Sequence, residues 1–248
     1  MEGVPYFISV DEARDIVNRT PLPRRLEEIP LDDCHGRILA EDLASKVDDP
    51  PFDNSSMDGF ACKHDPEASY PQTYSIQGIA AAAGEAQERV LEPNKAYRIM
   101  TGAPLPKGAD SILQIERCTI DEEHNTVTLL EAPKPHFVRK QGENLKQGTV
   151  SLKAGAVLTP SRVGLCATMG YPTVPVLQPL RIAVLSTGDE LKQPGEELVL
   201  GEVYESNSYG LAGLVRWMGH EAIRYEAVND TMDALRTTLQ QASEECDL

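Results

Sequence analysis

The sequence predicts an α+β fold of several domains: a small helical and extended segment, an all-β module and the beginning of a three-layer α/β domain with a parallel sheet. Short apolar runs separated by Gly, Pro, Asp and Asn fill residues 48–148, which is typical of short strands joined by turns. From residue 181 onward, apolar runs alternate with helical patterns, which is typical of parallel strands covered by helices. The 248 residues are enough for more than one hydrophobic core.

These patterns divide the chain into three domains. Residues 1–47 and 146–179 together form the helical and extended domain, residues 48–145 form an inserted β module, and residues 180–248 form a partial α/β domain. The sequence stops where the alternation requires a third strand. Because two parallel strands cannot cover both faces of a sheet, we expect the α/β domain to be truncated and the sequence to be an excerpt of a longer chain.

Local signals predict the individual elements. Ser9 and Glu12 form a capping box, in which each side chain satisfies a free backbone N–H at the start of a helix that runs to about Asn18. Pro21 and Pro23 end this helix. Further helices are predicted at 162–169, at 208–218 and from Asp230 onward. Extended segments or strands are predicted at 25–31, 36–44, 74–79, 96–100, 111–116, 126–130, 181–186 and 221–228.

The charge balance restricts the partners of this chain. It contains 39 Asp and Glu against 23 Lys and Arg, a net charge of -16, and so acidic a surface repels a nucleic-acid backbone. No stretch approaches the roughly 18 apolar residues that a membrane-spanning helix needs, and the N-terminus has acids where a secretory signal has bases. The five cysteines show no C-x-x-C spacing, which favours a reducing compartment. We therefore expect a cytoplasmic protein without nucleic-acid or membrane partners.

Polar side chains are densest in residues 51–61, where acids, hydroxyls and glycine occur in a segment that must turn. Carboxylates on such a turn can face a ligand or a metal ion. Asp, Asn and Ser also favour turns by bonding to their own backbone, so the composition alone leaves a purely structural role open.

Three polar motifs stand out along the chain: PFDNSSMDGFA at residues 51–61, IMTGAPLP at 99–106 and STGDEL at 186–191. In order and spacing they resemble the signatures of the molybdopterin molybdenumtransferases, the MoeA/gephyrin family. Ser56 and Phe60 replace the Ala and Tyr that are usual in the first signature. Residues 204–207 and 229–230 also resemble family segments, so the resemblance covers nearly the whole chain.

The resemblance implies an enzyme of molybdenum cofactor biosynthesis. In this family adenylylated molybdopterin is hydrolysed with release of AMP, and molybdenum from molybdate is inserted into molybdopterin with the help of Mg2+. Residues 180–248 would then begin the molybdopterin-binding domain. The family also implies a homodimer, with the site between the β module of one subunit and the α/β domain of the other, and a molybdopterin adenylyltransferase as an upstream partner.

Two other functions stay open at this point. Gephyrin acts as a scaffold in the same family, so an interaction protein without catalysis is the alternative interpretation. A generic magnesium-dependent nucleotide hydrolase is the third, although the chain has no G-x-x-x-x-G-K-[ST] loop to hold a phosphate chain.

By position, the resemblance implies catalytic roles for four residues: Asp58, Thr101, Glu190 and Asp230. It implies metal-binding roles for Glu190 and Asp230. The strand pattern supports these two independently, because Glu190 follows the first predicted parallel strand and Asp230 follows the second. Structural roles stay open as well: Asp58 and Thr101 precede glycines in turns, and Asp230 is suited to be the N-cap of the last helix.

Four further residues would bind substrate or anions by the same resemblance: Arg139, Ser186, Thr187 and Asn207. The planar guanidinium of Arg139 suits bidentate contact with phosphate or molybdate oxygens. Arg139 also lies in a cluster of basic residues, which either attracts a small anion or forms a solvated loop.

Overall fold

The computed structural model describes residues 8–82 and 89–248, and the contacts between them divide the chain into two compact units. The first unit comprises the chain up to Glu41, Ala154–Pro160 and Thr173–Leu248, and the second comprises Asp42–Lys153 and Ser161–Pro172. Residues 1–7 and 83–88 of the domains predicted from the sequence lie outside the described residues. The division into three domains stays a prediction, whereas the α+β fold class is confirmed.

Four α-helices lie within the described residues: α1 Val10–Arg19, α2 Pro160–Thr168, α3 Asn207–Trp217 and α4 Met232–Glu245. The capping box of α1 is confirmed, because Glu12 N–H donates to Ser9 Oγ at 3.1 Å and Ser9 N–H donates to Glu12 Oε2 at 2.7 Å. Helix α1 buries none of its side chains, and Val10, Ile16 and Val17 are exposed. Within these ranges no helix is long and apolar enough to cross a lipid bilayer.

Sixteen short strands occur in the same part of the chain. In chain order they are β1 Leu26–Pro30, β2 Leu43–Ala44, β3 Asn54–Ser55, β4 Gly59–Cys62, β5 Gln72–Ala80, β6 Lys95–Ile99, β7 Ser111–Gln114, β8 Cys118–Asp121, β9 Thr126–Leu129, β10 Val138–Arg139, β11 Val150–Leu152, β12 Thr173–Leu177, β13 Arg181–Val184, β14 Leu191–Lys192, β15 Val203–Tyr204 and β16 Glu221–Arg224. They are short because Gly, Pro, Asp and Asn interrupt the apolar runs and favour turns.

A six-stranded sheet forms the centre of the second unit, with the strand order β7-β4-β6-β5-β9-β8. Its neighbours pair antiparallel except for β5 and β6, which are parallel. Strand β4 is buried on both faces: Phe60 and Cys62 belong to one apolar cluster, and Ala61 belongs to a second with Ile99 and Ile112. This burial fixes the position of the residues at the start of β4.

The parallel pair of β13 and β16 belongs to the first unit, and α3 connects the two strands and packs against both. The other side of β13 also has a backbone partner. Asp247 N–H donates to the carbonyl of Arg181 at 2.7 Å. Ala183 N–H donates to the carbonyl of Leu248 at 2.7 Å. Strand β13 therefore lies between two neighbours.

The last helix begins later than the sequence predicted. Helix α4 starts at Met232, and its N-cap is Thr231, whose side chain accepts from Ala234 N–H at 3.3 Å. The N-cap role that the sequence left open for Asp230 is therefore wrong. Asp and Thr are both good N-cap residues, so the sequence alone does not distinguish between two adjacent candidates. Strands β13 and β16 likewise end earlier than predicted, and the residues that follow them form loops.

Gly59 lies between two paired strands and has no room for a side chain. An ideal Cβ at this position would lie 2.0 Å from the carbonyl oxygen of Leu113, in the backbone of β7. Because the neighbouring strand must move away, we expect Gly59→Ala to lower the free energy of unfolding by about 3 kcal/mol. Urea denaturation followed by circular dichroism measures this change.

The control for this substitution is Gly164→Ala, in α2 of the same unit. A Cβ at Gly164 meets no atom within 4 Å. Since alanine favours a helix over glycine by up to about 1 kcal/mol, this variant should unfold at the same urea concentration as the wild type or at a slightly higher one. Equal midpoints for Gly59→Ala and the wild type would contradict the close approach of β4 and β7.

Candidate active site

The first two polar motifs run side by side in the second unit. Gly102 N–H donates to the carbonyl of Ser55 at 2.8 Å, and Ser55 N–H donates to the carbonyl of Ala103 at 3.1 Å. A β-bridge also joins Asn54 and Pro104. The two motifs therefore form one structural element, although they are distant in sequence.

This pairing brings Asp58 into contact with Thr101. Asp58 Oδ1 accepts the backbone N–H of Thr101 at 2.6 Å and its hydroxyl at 2.8 Å. The backbone N–H of Thr101, and then its hydroxyl, hold the pKa of Asp58 below its ordinary value, and the charge of Arg98 acts in the same direction. Because both side chains are exposed, Asp58 presents an ionised and oriented carboxylate to solvent at neutral pH.

The strands around Asp58 fix its backbone. Ile115 N–H donates to the carbonyl of Asp58 at 3.1 Å. The next residue, Gly59, pairs with Ile99 of β6 on one side and with β7 on the other. Since β6 leads directly to Thr101, the same strand pairing sets the positions of both Asp58 and Thr101. Groups directly beside paired strands hold their geometry better than groups on long loops.

Arg139 lies beside the first motif and is bound to it. Its Nε donates to Asn54 Oδ1 at 3.0 Å, and the two residues are partners in the pairing of β10 with β3. The neighbouring Lys140 Nζ pairs with Asp53 Oδ2 at 2.8 Å. These contacts weaken the attraction of the basic cluster for an anion, because the charge of Lys140 is balanced by a carboxylate. The anion-binding role of Arg139 stays a prediction.

In the first unit, the loops that follow β13 and β16 are joined to each other. Val228 N–H donates to the carbonyl of Ser186 at 2.9 Å, and Gly188 N–H donates to the carbonyl of Val228 at 3.1 Å. Farther along, Asp230 N–H donates to Asp189 Oδ1 at 3.1 Å. The third motif and Asp230 therefore lie together at the carboxyl edge of the parallel pair, where open α/β sheets bind ligands.

The carboxylate of Glu190 folds back against Gly188. An ideal Cβ at Gly188 would lie 2.7 Å from Glu190 Oε2, and Gly188 has a φ of 152°, which other residues rarely adopt. Glycine at position 188 therefore permits the backbone conformation of the loop and leaves room for the Glu190 carboxylate. Thr187 and Asp230 are exposed at the same edge, and Asn207 is exposed as the first residue of α3.

Oxygen ligands at this edge suit a hard cation, but they do not form a complete cage. Among the residues that the structure describes, no group of three or more His, Cys, Asp or Glu could hold a metal ion. Magnesium in nucleotide sites is commonly held by one or two carboxylates, together with phosphate and water oxygens. Glu190 and Asp230 fit this smaller requirement by their chemistry.

A buried carboxylate that the sequence did not predict connects the elements of this edge. Glu205 is only 2% exposed. Its Oε1 accepts from Ser186 Oγ at 2.9 Å and from Ser208 N–H at 2.7 Å, and its Oε2 accepts from Ser208 Oγ at 2.6 Å. Burial acts to raise the pKa of Glu205, but the hydrogen bonds from Ser208 and Ser186 and the charge of Arg224 outweigh it and leave the pKa below its ordinary value.

The predicted site residues thus fall into two groups. Asp58 and Thr101 contact each other in the second unit, which also contains Arg139, bonded to Asn54. The first unit contains the other group, which shares the carboxyl edge of β13 and β16: Ser186, Thr187, Glu190, Asn207 and Asp230. Within it, the hydroxyl of Ser186 is bound to Glu205. Sequence reasoning missed Glu205, and the available signal was its position inside the family-like segment 204–207.

Comparison with protein families finds matches for two stretches of the chain. Residues 8–170 match the MoeA N-terminal region (domain I and II), and residues 183–248 match a probable molybdopterin binding domain. The chain belongs to the MoeA family. The resemblance carried by the three polar motifs is therefore confirmed.

Individual MoeA relatives match this chain over nearly all of its length. The molybdopterin molybdenumtransferase of Haemophilus influenzae is 35% identical over 98% of this chain and 60% of its own length. Molybdopterin molybdenumtransferase 2 of Mycobacterium tuberculosis is 35% identical, over 97% of this chain and 60% of its own length. A crystal structure of the molybdopterin biosynthesis MoeA protein from Pyrococcus horikoshii is 28% identical, with a TM-score of 0.84, and the match covers 95% of this chain and 63% of that one. The chain spans about 60% of the length of these relatives.

Removal of the Thr101 hydroxyl should raise the pKa of Asp58. In Thr101→Ala the backbone N–H still donates, so we expect the pKa to rise only part of the way to its ordinary value. Thr101→Ser retains the hydroxyl and should leave the pKa unchanged. Carbon-13 NMR titration of the carboxyl groups measures both, and an equal pKa in Thr101→Ala and the wild type would contradict the contribution of the hydroxyl.

The direction of the pH effect on stability follows from the same shift. The pKa of Asp58 is lower in the folded state than in the unfolded state, so its stabilising contribution is present above the unfolded pKa. It is lost as the pH falls through the folded pKa. As the pH falls, Thr101→Ala should therefore lose the stabilising contribution of Asp58 at a higher pH than the wild type does.

Proposed function

We propose that this chain contains part of the active site of a molybdopterin molybdotransferase. The reaction inserts molybdenum from molybdate into adenylylated molybdopterin and releases AMP. The observation that carries this proposal is the Asp58–Thr101 pair, in which two MoeA motifs meet at one ionised carboxylate. Relatives that match nearly the whole chain are named molybdopterin molybdenumtransferases, which supports the same reaction and does not favour a gephyrin-like scaffold without catalysis.

The contacts of Asp58 suit an orienting role more than a basic one. Its lowered pKa makes it a weak proton acceptor, while two hydrogen bonds from Thr101 hold its position. Asp58 therefore orients the water that attacks the phosphoanhydride of the substrate. Thr101 keeps the carboxylate ionised and directed toward that water.

We assign the magnesium site to the carboxyl edge of β13 and β16. Glu190 and Asp230 would hold the ion there with carboxylate oxygens, together with substrate phosphates and water. When bound, Mg2+ neutralises phosphate charge and polarises a phosphoryl oxygen. Thr187 and Asn207 are exposed at the same edge and donate hydrogen bonds to the substrate. We assign Arg139 separately to contact with phosphate or molybdate oxygens.

The proposed substrate and the thiols of the chain suggest its cellular setting. An adenylylated substrate requires an adenylyltransferase that acts on molybdopterin before this enzyme. The five cysteines all lie among the described residues and form no disulfide there, and burial raises the pKa of Cys62 to about 12. Cysteines outside disulfide bonds are typical of reducing compartments, which supports the cytoplasm as the location.

Substitution of Asp58 tests the proposed function directly. We expect Asp58→Asn to lower the turnover of adenylylated molybdopterin about 100-fold or more, because the amide cannot orient the attacking water as a carboxylate does. Release of AMP in the presence of molybdate and Mg2+ is the measurement, with the full-length gene product as the enzyme. Wild-type turnover in Asp58→Asn would sink the assignment.

Asp121 provides a matched control for this experiment. It is also an exposed carboxylate with a lowered pKa, because His124 N–H and the His124 ring bind it at 3.0 Å and 2.8 Å. It belongs to β8, at the far end of the same six-stranded sheet from β4 and β7. Asp121→Asn removes an equivalent charge and should leave the turnover unchanged.

The homodimer is the second part of the proposal, and helix α1 offers an apolar surface for it. Val10 and Val17 are 76% and 66% exposed, and they lie on the same helix face because they are one heptad apart. Exposed apolar side chains grouped on one face are typical of an interface. We expect Val17→Glu to produce monomers in light scattering, whereas Asn18→Glu, with the same charge on an adjacent face, should stay dimeric. A dimeric Val17→Glu protein would contradict an interface at this face.

A further inference from the structure

Glu205 differs from the other acids of the chain in its burial. Among residues 8–82 and 89–248 it is the only charged side chain that is buried. Burial of a carboxylate is unfavourable unless hydrogen bonds and opposite charge replace water. Glu205 obtains both, because Ser186 and Ser208 donate to it and Arg224 Nη1 lies 3.8 Å from its Oε2. An apolar side chain would fill this volume without the desolvation cost. We therefore ascribe to the carboxylate the role of holding Ser186 and Ser208 in position.

The chain segment that contains Glu205 holds the loop after β13 at both of its ends. At the first end, Ser186 Oγ donates to Glu205 Oε1 at 2.9 Å. At the other end, Val203 N–H donates to the carbonyl of Glu190 at 3.0 Å, and Glu205 N–H donates to the carbonyl of Lys192 at 2.8 Å. Thr187, Asp189 and Glu190 lie between these two attachments and have exposed side chains. Both ends of the loop are therefore bonded to the same short segment, residues 203–205.

The same carboxylate also caps helix α3. Ser206 is the N-cap of α3 by position, but its side chain makes no capping hydrogen bond. Glu205 instead accepts both the backbone N–H and the hydroxyl of Ser208, in the first turn. Arg224 donates to Ser208 Oγ at 3.2 Å and lies over the ring of Tyr209 at 3.8 Å. The start of α3, where Asn207 is exposed, is thus tied to the loop after β13 through one side chain.

We propose that Glu205 is the positioning residue of this edge: through Ser186 and Ser208 it holds the Glu190 loop and the start of α3 in the mutual arrangement that meets the substrate. Glu205 is buried and acts through these neighbours, without contact to the substrate. Its link to turnover rests on the proposed function. The effect of Glu205 on the order of the loop does not depend on the proposed function, and it can be measured separately.

The experiment combines hydrogen exchange with turnover in the full-length gene product. Glu205→Gln exchanges one acceptor oxygen for an NH2 group that faces donors. We expect amide exchange of the peptide 187–192 to become about tenfold faster, and the rate of AMP release to fall about 10- to 100-fold, as for other residues that orient ligating side chains. Glu205→Asp retains the charge and should restore part of both.

Glu202 is the matched control in the same part of the chain. Its carboxylate accepts Val199 N–H at 3.0 Å and pairs with Lys192 Nζ at 3.4 Å, and its pKa is lowered mainly by the backbone hydrogen bond. Glu202→Gln therefore removes a bound carboxylate nearby while leaving the bonds to Ser186 and Ser208 intact. Exchange of 187–192 and turnover should both match the wild type.

Ser186→Ala gives a second route to the answer, because it removes one attachment and leaves the buried charge with its other partners. It should accelerate loop exchange, and the double variant with Glu205→Gln should lose no more turnover than Glu205→Gln alone, since both act through the same contact. This variant decides the matter if Glu205→Gln does not fold.

Each outcome has a definite meaning. Faster exchange confined to the loop, lower turnover and partial recovery in Glu205→Asp support the proposal. Unchanged loop exchange in Glu205→Gln and Ser186→Ala overturns it, and so does wild-type turnover despite faster exchange. Absence of AMP release from the wild-type enzyme contradicts the proposed function, and the exchange data then decide the positioning role alone.

Discussion

Backbone pairing at the start of β4 is the constraint on which the β module depends. Strand β4 has β6 on one side and β7 on the other, so the direction in which Asp58 leaves the sheet is determined by two ladders at once. Each hydrogen bond contributes only about 1 kcal/mol to stability. Together, the hydrogen bonds of the two ladders restrict the backbone of Asp58 more than a free loop would. Thr101 lies opposite Asp58 because it follows β6, which pairs with β4.

Much of the fold could be predicted because its signals are local. The capping box of α1 depends on two residues three positions apart, and the short strands depend on turn residues that interrupt apolar runs. The start of α4 was predicted less well, since Asp230 and Thr231 are both capable of capping a helix and the choice depends on the contacts of the preceding loop.

The site was less predictable, because its contacts join distant parts of the chain. Asp58 and Thr101 are 43 residues apart, and only the family resemblance connected them before their contact was seen. Glu205 escaped prediction for another reason. Acids are almost always exposed, so a sequence pattern gives no sign that one of them is buried. The two serine donors and the arginine charge that make this burial tolerable come from three separate parts of the chain.

The central position of β13 has a consequence for where a ligand enters. After β13, the chain forms β16 on one side of β13, and it then places Asp247 and Leu248 on the opposite side of β13. Successive parallel segments are therefore added on opposite sides of β13, so their order reverses direction there. In open α/β sheets, such a reversal separates the connecting loops and leaves a crevice beyond the carboxyl ends of the strands. Glu190 lies in the loop that follows β13, and Asp230 lies in the loop that follows its neighbour β16, so both carboxylates are found beyond the carboxyl ends of these strands.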